Sequence, residues 1–253
     1  AMVRRDIDIT SIQYLSYKSV RGEANTKIFT KLFPAEKIGF KRFITAVFTI
    51  ILAGVCGLVV TYFLNIILYF FGIEINSPSL GNPSGVIETV IFFIMISIIP
   101  SIFEEGLYRG YLTYMTAPYG VGVTSIISGL TFALVHGNFA QMPLAFFFGA
   151  SAGYFMYIYK NIWIAVVAHF INNAFSSIMT IITDSTLSGG ISYIYIGGIL
   201  MAGAASLATL SMNFDKDSVK LKKEDVGNMF RIILSPAYIV FVVVSIIFTV
   251  INL

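Results

Sequence analysis

Two adjacent glutamates, followed one helical turn later by an arginine, stand inside a run that is otherwise apolar: Glu104-Glu105-Gly-Leu-Tyr-Arg109. On a helix Glu105 and Arg109 share a face at the four-residue spacing of an ion pair, while Glu104 points about 100° away. One carboxylate is then compensated and the other left free. A free carboxylate shielded from bulk water is suited to take a proton from a water molecule as a general base. Spacing alone leaves open which glutamate is the base, and it also fits an acidic pair closing the end of a membrane span.

The chain's two histidines lie in later apolar runs. Phe132-Ala-Leu-Val-His136 sets an aromatic ring one turn before an imidazole. His169-Phe-Ile-Asn-Asn173 puts an imidazole and a carboxamide on one helix face, about 6 Å apart along the axis. Each pattern has an ordinary reading, as a satisfied core histidine or as interhelical polar glue worth about 0.6 kcal/mol. Apart from Arg231, which opens the last run, Glu88, Glu104, Glu105, Arg109, His136 and His169 are the acidic and basic groups of the apolar runs. Each costs roughly 2.5–3.5 kcal/mol to insert and so needs a reason to be there. Their conjunction is stronger than any one of them, since three buried segments supply a carboxylate pair with a clamping arginine, a histidine, and a histidine–amide pair. Glu104, His136 and His169 also match a His₂Glu zinc shell with water as fourth ligand, although the HExxH helix of common zinc peptidases is absent.

The elements that must position these groups are membrane helices. Of the 253 residues 57% are hydrophobic and only 11% charged, with a mean hydropathy of +0.85; a soluble domain carries about 25% charged residues. The expected fold is an all-α, polytopic transmembrane bundle. The net charge of +3 comes from too few basic residues to line a nucleic-acid groove. The single cysteine, Cys56, excludes a disulfide framework within the chain and a cysteine metal cage. Ala1 before Met2 reads as a cloning scar, and the first apolar run starts too late for a signal peptide.

Residues 1–42 form a basic segment, cytoplasmic or interfacial, ahead of an integral membrane domain over 43–253. Apolar runs at about 43–72, 86–116, 121–137, 142–159, 161–183, 190–212 and 230–252 predict seven crossings. An eighth arises if Pro100 splits the second run. With a cytoplasmic amino terminus and seven crossings, residues 1–42, the turn near 117–122, Lys160 and the loop with Lys216, Lys220, Lys222 and Lys223 share the inner face. The outer segments then carry only acids such as Glu74 and Asp184. Depth is harder to reconcile: Glu104 reads as near the inner end of its run, whereas His136 is about 22 Å along a helix that starts on that side. The uncharged loop from His136 to Pro143 is able to fold back inside the protein.

The motifs EExxxR, FxxxH and HxxxN, on Glu104-Glu105…Arg109, Phe132…His136 and His169…Asn173, resemble the CAAX-processing and bacteriocin-processing (CPBP or Abi) intramembrane endopeptidases. The local text EEGLYRGYL and AHFINNAF is similar beyond the key letters, and the resemblance covers roughly residues 86–183. It implies Glu104 as general base with His136 on the water, His169 and Asn173 as oxyanion donors, and Glu105 with Arg109 as an orienting pair. It further implies a catalytic core without a required cofactor, zinc being the alternative, in a multi-pass cell-membrane protein. Its partners would be the lipid bilayer and cytoplasmic-side or membrane-inserted peptide or protein substrates. Two other classes compete. A proton-coupled transporter would need matching halves with broken helices, which the sequence lacks; a non-catalytic scaffold would be expected to lose motif residues, and none is lost.

Overall fold

The structure, a computed structural model, describes residues 33–73, 81, 83–182, 185–211 and 223–251. Most of the basic segment, Glu74, Asp184 and the loop with Lys216, Lys220 and Lys222 lie outside the described residues. The helices are α1 (Phe40–Tyr69), α2 (Val86–Tyr119), α3 (Val121–Val135), α4 (Met142–Tyr159), α5 (Trp163–Ile181), α6 (Ser185–Ser211), α7 (Lys223–Ile233) and α8 (Pro236–Ile251). Among the described residues the sole β-type pairing is an isolated antiparallel bridge between Ala35 and Asn161. The all-α expectation holds.

Each of the seven apolar runs is helical, but the expected seven to eight crossings are not matched by length. Among the described residues five helices are long and apolar enough to cross a membrane, or six if α7 and α8, bent by 61° between them, form one broken span. The shortfall is at α3. Its 15 residues reach only about 22 Å, against some 30 Å of hydrocarbon. The chain leaves α3 through the uncharged loop and turns back beside α1, where the Thr61 hydroxyl donates to the Ala140 carbonyl at 3.1 Å. Gly57 permits that approach: a Cβ there would stand 2.5 Å from the Leu144 Cα and 2.6 Å from the Pro143 carbonyl.

Pro100 does not split α2. The helix runs unbroken for 34 residues, and the ring is accommodated by a π-helical turn just before it, Ile94–Ile98. A second π-helical stretch, Gly106–Leu112, follows the glutamates and contains Arg109. Glu88 is used locally, accepting hydrogen bonds from the Ser84 amide and hydroxyl at the start of the helix.

α4 lies at the centre, packed on α1, α3 and α5 around Val47, Ile50, Phe132, Phe148, Ala152 and Ala168. Close approach of α3 and α4 rests on small residues: a Cβ on Gly129 would be 2.7 Å from the Phe146 carbonyl, and one on Gly153 2.8 Å from Ser128 Cβ. Such contacts suit helices in lipid, where packing rather than water exclusion drives association. Apolar side chains such as Phe63 and Ile67 of α1, Val86 and Val90 of α2 and Val240 and Val244 of α8 face outward, as a lipid-facing surface does. One end of the bundle gathers residues 33–37, the α2–α3 turn at Gly120, Lys160 to Ile162, and Asp225.

Candidate active site

Gly120, with φ 94°, reverses the chain between α2 and α3, so residues equally far from it on either side face each other. Tyr108 meets Phe132 on this register, ring centroids 5.3 Å apart. Glu105 precedes the turn by almost as many residues as His136 follows it. The apparent mismatch in depth therefore disappears: α2 continues to Tyr119, which places its glutamates well inside the bundle instead of at its end.

Glu105 and Arg109 are both wholly buried, and Arg109 Nη1 donates to Glu105 Oε1 at 3.0 Å. The same oxygen lies 2.8 Å from His169 Nδ1, a contact that ties α5 to α2. The guanidinium carbon sits 4.2 Å over the Phe132 ring centre, with Phe148 and Tyr108 at 5.9 and 6.0 Å. Arg109 Nε and Nη2 have no hydrogen-bond acceptor among the described residues. Aromatic faces stand in their place, a cation–π contact worth about 2 kcal/mol when desolvated.

His136 caps α3, and its Nδ1 is 2.7 Å from the Phe132 carbonyl. A carbonyl only accepts, so in the neutral ring Nδ1 carries the proton and Nε2 presents a lone pair. Phe132 stands between the two imidazoles, 4.8 Å from His136 and 5.7 Å from His169. Glu104 is half-buried, with His169, Glu105 and Arg109 as its electrostatic neighbours. Asn173 sits one turn along α5 from His169. Its Nδ2 donates to the Ile96 carbonyl at 3.0 Å, and its Oδ1 accepts from Asn172 at 3.2 Å. Ile96 lies four residues before Pro100, whose ring nitrogen has no N–H to offer that carbonyl. Asn173 supplies the missing donor and keeps a second N–H uncommitted.

The structure thus joins Glu105, Arg109 and His169 by direct bonds, links His136 to them through Phe132, sets Glu104 alongside and places Asn173 one turn farther on. Among the described residues no three His, Cys, Asp or Glu side chains are grouped to hold a metal ion. As the side chains stand they do not form the zinc shell that the residue types suggested. Two neighbours carry no motif: Phe148, whose ring is 5.6 Å from His169, and Gly149, where a Cβ would lie 3.2 Å from Arg109 Nη2. Their signal in the sequence is the small-residue pattern Gly149-Ala-Ser-Ala-Gly153, which marks a helix face open to close packing. Beside the Arg109 turn of α2 is a cavity of about 390 Å³, lined in part by Pro34, Glu36, Gly110, Thr113, Tyr157 and Lys160.

No curated protein and no solved structure matches the chain. Residues 86–175, about a third of the chain and the part that carries every candidate residue, match the model of the type II CAAX prenyl endopeptidase Rce1-like family, in agreement with the CAAX-protease resemblance of its motifs.

Proposed function

We propose that the protein is a multi-pass intramembrane endopeptidase that hydrolyses membrane-associated or cytoplasmic-side peptides by attack of a water activated by Glu104. The observation that carries this reading is the division of labour between the two glutamates. Glu105 is wholly buried, with Oε1 engaged by Arg109 and His169, so the half-buried Glu104 is the carboxylate open to a water from which to take a proton. His136, with Nδ1–H directed to the Phe132 carbonyl, offers Nε2 to hold the same water. As the tetrahedral intermediate forms, His169 Nε2, when protonated, and the uncommitted N–H of Asn173 serve as oxyanion donors. Glu105, paired with Arg109, fixes the His169 ring and offsets its charge. The match to the Rce1-like family over residues 86–175 supports peptide hydrolysis over transport or a scaffold role. The amino terminus is assigned to the cytoplasm on the distribution of basic residues.

The test is cleavage of an internally quenched peptide library by the purified protein in lipid vesicles, with and without chelator, alongside metal analysis. Cleavage that survives chelation is the expected result. Stoichiometric zinc, with activity lost on chelation and restored by the metal, would replace the glutamate–water scheme by a metallopeptidase one.

A further inference from the structure

The segment before α1 does not simply lead into the membrane. Residues 34–36 run antiparallel to residues 160–162, with the Glu36 amide donating to the Lys160 carbonyl at 3.1 Å and the Ile162 amide to the Pro34 carbonyl at 2.9 Å. The Asn161 side-chain amide adds a bond to the Glu36 carbonyl at 2.8 Å. At the end of this short ribbon Phe33 packs on Met156, Ile162 and Val166. Its ring covers Gly106, where a Cβ would meet Phe33 Cζ at 2.5 Å. Gly106 immediately follows Glu105. Side chains alternate as in any extended peptide: Phe33 fills the seat at Gly106, while Pro34 and Glu36 border the 390 Å³ cavity, which they leave open.

We propose that the groove between α2 and the α4–α5 turn is a docking site for an extended peptide bearing a bulky apolar residue, and that Phe33–Glu36 occupies it as a built-in competitor. The chemistry is that of strand addition, in which main-chain bonds give affinity and a side-chain pocket gives selectivity. Lys160 to Ile162 supplies the bonds, and the glycine at position 106 makes the pocket next to the carboxylates. Identifying the docked peptide as substrate rests on the endopeptidase reading; the docking itself does not. Because the occupant is tethered, it competes at a local concentration of about millimolar, and a peptide from outside binds only as the segment lifts away.

The experiment is binding of a fluorescent synthetic peptide spanning residues 28–38 to the full-length protein in nanodiscs, read by anisotropy. Wild type is compared with Phe33→Ala and with Glu36→Pro, which removes the amide that bonds Lys160. Both variants should bind the peptide at least tenfold more tightly than wild type, and a peptide carrying Phe33→Ala with its Phe29 kept should lose that gain. With a cleavable reporter, KM should fall several-fold in Phe33→Ala at unchanged kcat. Equal binding by all three proteins, or binding indifferent to the peptide's Phe33, would overturn the proposal. So would failure of both variants to fold, which would make the segment a structural strap. Tight binding without any cleavage would leave the docking site standing and remove the endopeptidase reading instead; cleavage with neither KM nor binding altered would do the reverse.

Discussion

Glu105 Oε1 takes contacts from two helices, Arg109 on its own helix and His169 on α5, within a wholly buried cluster. The four-residue spacing already implied the Glu105–Arg109 pair, because an ion pair within a helix is a local property. The contact between His169 and Glu105 was not legible, since it joins residues 64 positions apart and depends on how α5 crosses α2. Arg109→Ala would leave the Glu105 charge buried with only the imidazole beside it, and should cost about 3–5 kcal/mol of stability, as breaking a buried pair from one side does; a thermal melt reads this. Arg109→Lys should recover only part of the loss, because an ammonium lacks the planar face that lies on Phe132. A Glu105→Leu/Arg109→Met double variant should melt closer to wild type than Arg109→Ala, yet have little activity, its His169 being no longer held. Full recovery of stability in Arg109→Lys would show that the aromatic stacking contributes nothing.

Among the elements, α2 and α3 depart most from what the apolar runs suggested. Pro100 reads as a break, but the break is repaired from outside α2: Asn173 of α5 donates to the carbonyl four residues before the proline, a repair that hydropathy cannot foretell. It gives Asn173 a structural role that is separable from the proposed oxyanion one. Asn173→Ala should lose about 1–3 kcal/mol by leaving that carbonyl unsatisfied, and adding Pro100→Ala should return much of it. If hydrolysis stays lost while stability returns, the amide acts on the reaction; if activity returns with stability, its role is structural alone. That α3 falls short of a span was not legible because an apolar run records burial, and a helix packed against α2, α4, α7 and α8 is as apolar as one that spans. Gly129→Ala tests that enclosure. The added methyl meets backbone on α4, so the helices must part, at a cost of about 1–3 kcal/mol, and the melting temperature should drop. An unchanged melting temperature would contradict the close α3–α4 packing.

For the whole molecule, composition foretold the class and charge placement foretold which turns lie together. The Gly120 turn, Lys160 and the segment before α1 do sit at one end, whereas α1, 30 residues long, carries Gly72 to the other. In a Cys56→Ser background, cysteines placed at Tyr119 and Lys160 should react with an impermeant reagent from one side of the membrane and a cysteine at Gly72 from the opposite side. Labelling of residues 72 and 160 from the same side would contradict the sidedness. The three-dimensional meeting of the motif helices follows from spacing only in part, since the depth of the glutamates depends on the true length of α2. The most direct measurement is the hydrolysis rate of Glu104→Gln beside wild type under identical vesicle conditions. Loss of a general base predicts a fall of about 10²–10⁴-fold with an unchanged melting temperature, because Glu104 takes no part in the buried Glu105–Arg109–His169 cluster. A Glu104→Gln protein that cleaves at the wild-type rate would contradict the assignment of Glu104 as the base.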